Sequence, residues 1–281
     1  MRIDAALTWA SKELEGGESP SVDAKVLLAS VLNQSQTYLF TWPDKLISES
    51  QLQAYKAAVL RRKKGEPVAY ITGSRDFWTL TLSTSPHTLI PRPDTEVLIE
   101  HVLAWAQVRT AQVAAPLSLC DLGTGTGAIA LSLASELPKS DVTGVDFLEE
   151  AVALAKRNAQ TNNISNASFI QSDWFSALKG KVFDAIVSNP PYIELSDPHL
   201  NEGDVRFEPK SALTSGEDGL DDIKRIVSDA PAYLKKGGLI AFEHGFNQGG
   251  AVRALLSSAG FSHPSTYKDY GGNDRVTLAT L

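Results

Sequence analysis

Apolar residues recur at helical spacing through the first seventy or so positions. Ile3, Ala6, Leu7, Ala10 and Leu14 mark one apolar face, and Val22, Leu27, Leu28, Val31 and Leu32 a second. Ser19-Pro20 offers the second helix an N-cap and a proline at its first position. Ser48-Glu49-Ser50-Gln51 is a capping-box pattern, and Leu52, Tyr55, Ala58 and Val59 continue the helix it opens. Arg61-Arg62-Lys63-Lys64 then ends that helix near Gly65, where positive charge favours a helix C-terminus. The pattern changes after Gly73. Phe77 to Ser83 alternates like a strand, and Pro86, Pro91 and Pro93 punctuate a linker with room for a β-hairpin. Asp94 is placed to cap a helix running from Glu96 to Ala106.

From Pro116 onward strands and helices alternate. Apolar runs predict strands at 117–121, 141–146, 167–171, 183–188, 239–243 and 275–280. Between them the spacing predicts helices over 128–136, 148–162, 221–234 and 251–259, the third stopped by Gly237-Gly238. Repeated βα units argue for an α/β fold with a mostly parallel sheet covered on both faces. The predicted division is a small helical domain over 1–73, a linker with a hairpin over 74–95 and an α/β domain over 96–281.

Composition narrows the class. The chain has 281 residues, of which 43% are hydrophobic and 21% charged, enough apolar material for a real core. No apolar run approaches the roughly 20 residues that span a bilayer, and the acidic, helically spaced N-terminus does not read as a signal peptide. The single cysteine, Cys120, rules out an intramolecular disulfide and reads as a small core residue. These features predict a soluble, cytoplasmic protein with no membrane partner. The net charge is −7, and residues 74–281 hold 17 Lys and Arg against 25 Asp and Glu. A direct nucleic-acid partner ordinarily needs a basic stripe, so the charge leans against one.

The first chemical signal is Asp121-Leu122-Gly123-Thr124-Gly125-Thr126-Gly127, between a strand and a helix. Glycines there let a ligand approach the main chain. The spacing is neither the G-x-G-x-x-G of a dinucleotide site nor a P-loop. Asp146, at the end of the next strand, is either a helix N-cap or an acceptor for the two hydroxyls of a ribose. Taken with the glycines, nucleoside binding is the better reading. The pattern resembles the first two motifs of class I S-adenosylmethionine-dependent methyltransferases. That resemblance implies S-adenosyl-L-methionine as cofactor, passing over Gly123, Thr124, Gly125, Thr126 and Gly127, with its ribose on Asp146 and its methionine end near Asp121. It also implies a Rossmann-like, seven-stranded sheet. Ser172-Asp173-Trp174 falls where that family covers the adenine, and the Trp174 face suits stacking on a base. The five histidines show no ligand spacing, so no metal is expected.

The second signal is Asn189-Pro190-Pro191-Tyr192, directly after a strand and at its carboxyl end. Two prolines fix the backbone. The side-chain oxygen of Asn189 and the carbonyl of Pro190 are each able to accept one N–H of a planar NH2 group, and Tyr192 offers it a flat face. Such a nitrogen is a poor nucleophile because its lone pair is delocalised. Two aimed acceptors orient it and favour its pyramidal form as charge builds. Asn189 borders both ligands, cofactor and acceptor. The motif by itself does not choose between a base amine and a glutamine amide. Nine acidic residues from Glu194 to Asp222, against Arg206 and Lys210, predict an acidic rim that repels phosphates and attracts a basic protein loop.

The stretches GEPVAYITG (65–73), LIPRPDTE (89–96), DLGTGTGAIA (121–130), QSDWFSAL (171–178), VSNPPY (187–192) and DVRFEPKSAL (204–213) closely resemble the HemK/PrmC-type methyltransferases of bacterial peptide-chain release factors. The resemblance spans nearly the whole chain. It implies methylation of the side-chain amide nitrogen of glutamine in the release factors' Gly-Gly-Gln loop. The helical domain and hairpin then grip the release factor, and Asn189, Pro190, Pro191 and Tyr192 clamp the amide. Arg92, Pro93, Thr95 and Glu96 are expected at the pocket mouth, with Glu208-Pro209 shaping the pocket. A ribosomal-protein glutamine methyltransferase is the nearest alternative, and an exocyclic-amine methyltransferase acting on nucleic acid the next. The oligomeric state is not legible.

Overall fold

The computed structural model describes residues 1–113 and 115–281, which form two compact units. The first comprises residues 1–74 and 199–207, the second residues 75–198 and 208–281.

The first unit is helical: α1 (Ile3–Glu13), α2 (Pro20–Leu32), α3 (Gln36–Thr41), α4 (Glu49–Lys63) and α5 (Val68–Thr72). Its core is the set of apolar faces legible in the sequence, including Ile3, Ala6, Leu27, Leu28 and Tyr55. Buried Tyr55 donates its hydroxyl to the Ala24 carbonyl at 2.9 Å, so its polar atom enters the core satisfied. The capping box at Ser48 and Gln51 forms with both of its hydrogen bonds. Ser19 is the N-cap of α2, yet its hydroxyl donates to Asp23 instead of accepting from the backbone. The basic end of α4 is paired rather than free. Arg62 bonds Asp23 at 2.7 Å and Asp204 at 2.6 Å, and Lys63 bonds Glu13 at 2.8 Å.

The second unit begins with a hairpin. Phe77 to Ser83 is not one strand, because Trp78 adopts φ 54° and turns the chain between β1 (Ser74–Phe77) and β2 (Leu80–Ser83). A 3-10 turn at Pro93–Thr95 leads into α6 (Glu96–Gln112), whose N-cap is Thr95 rather than Asp94. Next come β3 (Ser118–Leu122), α7 (Ala128–Glu136), β4 (Asp141–Asp146), α8 (Glu149–Thr161), β5 (Ala167–Gln171) and β6 (Phe183–Ser188). The unit ends with α9 (Asp221–Asp229), β7 (Leu234–Glu243), α10 (Gly249–Ser258), β8 (Ser262–Lys268) and β9 (Asp274–Thr280). The third predicted helix stops earlier than expected, because Pro231 has no N–H to continue it; the two glycines lie inside β7.

The seven strands form one sheet in the order β5-β4-β3-β6-β7-β9-β8, Rossmann-like and mostly parallel, with β9 antiparallel to both neighbours. Strand alternation sends Leu119, Val187 and Ala241 into a core under α6, α7 and α8. Cys120, Ile186 and Phe242 enter the opposite core, with α9 and α10. Parallel register sets Leu122 opposite both Val145 and Ser188, and Ser188 opposite Phe242. The next residue along each strand, Gly123, Asp146, Asn189 and Glu243, therefore emerges along one edge. Among the described residues, no helix is long and apolar enough to cross a membrane.

Two buried contacts support the turn after β3. Gly127 is the N-cap of α7 at φ 84° and has no side chain to cap it. The buried Asp121 carboxylate does this from below, accepting from the Ala130 N–H at 3.2 Å and from the Thr124 hydroxyl at 2.6 Å. Gly144 of β4 passes so close that a Cβ there would sit 2.7 Å from the Thr124 hydroxyl oxygen and 2.6 Å from the Phe169 ring. Gly144→Ala is accordingly expected to lower stability by roughly 1–3 kcal/mol, read as a fall in Tm.

Burial raises the Asp121 carboxyl from 3.8 to about 7. The folded chain thus holds this proton more tightly than the unfolded chain does. The associated stability is complete below pH 3.8 and is lost as pH rises toward about 7. Asp121→Asn, which cannot titrate, should flatten the decline of Tm between about pH 4 and 7 in the ligand-free protein. An unchanged slope would refute this.

Candidate active site

A cavity of about 350 Å³ opens at the carboxyl edge of the sheet, within the usual range for a small-molecule site. Its floor is the turn after β3. The N–H groups of Gly123 and Thr124 both donate to the Val145 carbonyl, at 2.9 and 2.8 Å, which hooks the turn to the end of β4. Gly123 has φ 72°, and the Trp174 ring lies 3.4 Å from where a Cβ would project. Gly123, Thr124, Gly125, Thr126, Asp146 and Trp174 all line the cavity. Gly127 and the buried Asp121 do not; they support the turn from outside its wall.

Asp146 is not the N-cap of α8, which is Leu148. One of its oxygens accepts from the Gly125 N–H at 2.9 Å and the other from the Leu148 N–H at 3.0 Å. Burial raises its pKa, and these backbone donors pull it back. Each carboxylate oxygen keeps a second lone pair for a ligand hydroxyl. Trp174 holds an uncommon positive φ of 47°, and its carbonyl accepts the Ser172 hydroxyl at 2.7 Å. Asp173 is gripped by Arg225 through two bonds of 2.8 Å, and both residues line the cavity.

The Asn-Pro-Pro-Tyr corner comes directly after β6, which is locked to β3 by a 2.7 Å bond from the Ser188 hydroxyl to the Leu122 carbonyl. Asn189 and Pro191 line the cavity, whereas Pro190 and Tyr192 lie outside its wall. The Asn189 amide nitrogen donates to the Thr95 hydroxyl oxygen at 3.3 Å. Among the described residues, no donor reaches the Asn189 side-chain oxygen or the Pro190 carbonyl. The Tyr192 hydroxyl donates to Glu243 Oε1 at 3.1 Å, and burial raises its pKa. The other Glu243 oxygen is buried without an aligned hydrogen-bond donor among the described residues. Burial raises the Glu243 pKa; the Thr95 hydroxyl and the Arg275 charge act to lower it.

Of the four residues expected at the mouth, only Thr95 lines the cavity. Glu96 instead accepts from the Trp78 N–H at 3.0 Å, holding the hairpin. Arg92 is ion-paired with Glu208, whose carboxylate is fully buried and also accepts from the Ile90 N–H at 2.9 Å. The acidic stretch is not a continuous rim. Of its nine carboxylates, only Asp222 lines the cavity; Asp218 pairs with Lys224 and Asp204 with Arg62. Sequence reasoning missed Thr88, Phe147, Ser211, Ala212 and Arg225 of the wall, and Glu243 behind it. Phe147, an aromatic directly after Asp146 and 67% exposed, carried a signal, and Ser211 and Ala212 lie within the 204–213 stretch. Thr88 and Arg225 lie on a loop and a helix with no local pattern, and Glu243 ends a strand.

These surroundings fit S-adenosylmethionine: a glycine floor open to a ligand, a carboxylate at its edge and an indole over it. Residues 5–73 match the family model described as PrmC N-terminal domain, and residues 95–202 match that of the methyltransferase small domain. The fold is similar to that of the T. Thermophilus 16S rRNA methyltransferase solved in complex with AdoMet and guanosine. The TM-score is 0.53 at 23% identity, over 74% of this chain and 49% of that one. The release factor glutamine methyltransferase of Vibrio cholerae is 53% identical over 98% of this chain and 96% of its own length. That of Pseudomonas aeruginosa is 52% identical over 95% of each. With identity at this level running from end to end, the chain belongs to the release factor glutamine methyltransferase family.

Proposed function

We propose that this protein transfers a methyl group from S-adenosylmethionine to the side-chain amide nitrogen of the glutamine in the Gly-Gly-Gln loop of peptide-chain release factors. The observation that carries the reading is the state of Asn189. Its amide nitrogen is engaged by Thr95 and its oxygen is left without a donor, in the wall of the cavity that holds the glycine turn and Asp146. A site for an NH2 group needs an acceptor so held.

When bound, S-adenosylmethionine supplies the methyl group: the N–C bond forms as the C–S bond breaks, sulfur keeps the C–S electrons and the amide proton leaves to water. The chain's own part is to bind and to aim. Asp146 would take the ribose hydroxyls, Gly123 to Thr126 would form the floor beneath the cofactor, and Trp174 would cover its adenine. Asp121 holds the turn through Thr124 and α7. The Asn189 oxygen and the Pro190 carbonyl accept the two amide hydrogens, which orients the nitrogen and favours its pyramidal, nucleophilic form. Pro191 and Tyr192 complete the corner that receives the planar group. We assign residues 1–73 to recognition of the release factor, 74–95 to the linker and 96–281 to catalysis. The excess of acidic residues in 74–281 suits a protein loop better than a phosphate backbone.

Purified protein with labelled cofactor should place label on the release-factor glutamine, and not on ribosomal protein or RNA offered in parallel. Label on RNA alone would overturn the reading. Asn189→Ala should cut turnover by on the order of 100-fold while cofactor affinity, read by calorimetry, changes little. Asp146→Ala should show the opposite split, weakening cofactor binding by about 1.5–3 kcal/mol through loss of charge-assisted hydrogen bonds.

A further inference from the structure

Thr95 stands at the N-cap of α6, a position where threonine ordinarily accepts from the helix backbone, yet its side chain makes no capping bond. It is only 4% exposed, and its hydroxyl oxygen accepts the Asn189 amide nitrogen at 3.3 Å. Across from it, at the end of β7, stands Glu243, 1% exposed. Strand alternation turns Glu243 to the face of Ala241, the face that α6 covers. Its Oε1 accepts the Tyr192 hydroxyl at 3.1 Å, and its Oε2 has no aligned donor among the described residues. One carboxylate thus holds the Tyr192 hydroxyl and keeps a second oxygen unpartnered among the described residues, while Thr95 backs Asn189 from the face that α6 covers.

The direction of these bonds carries the inference. An ionised carboxylate only accepts. The Thr95 hydroxyl has one proton, it caps nothing, and the Glu243 Oε2 left without an aligned donor is the acceptor that proton is inferred to serve. The hydroxyl's lone pairs are then left for a donor, and the Asn189 side chain meets them with its NH2 end. An Asn side chain presents either of two nearly isosteric ends, and only one leaves its oxygen toward the cavity. We propose that Glu243 and Thr95 are positioning residues for methyl transfer: Glu243 fixes the sense of the Glu243–Thr95–Asn189 chain so that Asn189 offers its oxygen to the substrate nitrogen, and in parallel anchors the Tyr192 hydroxyl. This rests on the reading of Asn189 as the acceptor-site residue. Burying a carboxylate among apolar neighbours is unfavourable unless its acceptors are used; here Oε1 holds Tyr192 and Oε2 is left for the Thr95 hydroxyl.

The test uses the full chain, a release factor as substrate and Thr95→Val, Thr95→Ser, Glu243→Gln and Asn189→Ala side by side. Valine keeps the shape of threonine and removes only the hydroxyl, and Thr95 caps nothing, so folding should survive. Thr95→Val should lower kcat by on the order of 10- to 100-fold, with KM, cofactor Kd and Tm close to those of the unaltered protein. Thr95→Ser, which keeps the hydroxyl, should recover most of the lost turnover. Glu243→Gln, whose amide both donates and accepts, should lower kcat because the sense of the chain is no longer fixed. Full turnover in Thr95→Val beside an inactive Asn189→Ala would overturn the positioning role and leave the acceptor assignment standing. Full turnover in Asn189→Ala would instead sink the acceptor assignment. A Thr95→Ser as impaired as Thr95→Val, or a parallel loss of Tm and cofactor affinity in Thr95→Val, would reduce the role of Thr95 to packing.

Discussion

Parallel register is the constraint on which the site depends. Leu122 pairs with both Val145 and Ser188, and Ser188 with Phe242, so four strands end at one level. Each end gives way to a different chemical group: a glycine turn, a carboxylate, an amide and a second carboxylate. A slip of one residue in any pair would send that strand's end residue to the opposite face of the sheet. The Ser188 hydroxyl on the Leu122 carbonyl, and the two N–H groups of the glycine turn on the Val145 carbonyl, hold this edge beyond the ladder itself. The cavity is a consequence of this register and belongs to no single motif.

The sequence is most legible where the chain is driven by burial. β4 and β6 and helix α7 coincide with their apolar runs, because they are buried almost throughout and bounded by turns. β8 escapes a sequence reading for the same reason in reverse. Ser262–Lys268 pairs only with β9, has an edge exposed, and reads as polar sequence. The hairpin reads as one strand because alternation continues through Trp78, and a positive φ at a tryptophan has no compositional signal. In the site, residues within a local motif are legible: the glycine turn, Asp146, Trp174 and Asn189. Glu243 is not, because its meaning lies in Thr95, which is distant in sequence and close only through the pairing of α6 with the β7 face.

The edge is also where the fold departs from its own local rules. Asp121, Asp146 and Glu243 are carboxyls whose pKa values burial raises, and Trp174 sits in a backbone region that bulky residues seldom occupy. Natural sequences break such rules mainly at functional sites. Each departure here has a visible use. Asp121 caps a helix that starts on glycine, Asp146 holds the turn and faces the cavity, and the Trp174 conformation lays an indole against Gly123.

A buried asparagine shows how such a site is kept rigid at modest cost. Asn158 of α8 accepts from the Ser83 N–H at 2.8 Å and donates to the Ser83 carbonyl at 3.1 Å and the Thr126 carbonyl at 2.8 Å. One fully satisfied amide therefore joins the hairpin, the glycine turn and the helix below it. Asn189 is the contrast. It has a similar backing from neighbouring elements but keeps one acceptor unused. That acceptor belongs to a residue of the cavity wall, within reach of a donor on another molecule. The difference between these two asparagines, one closed and one open, separates the scaffold from the site.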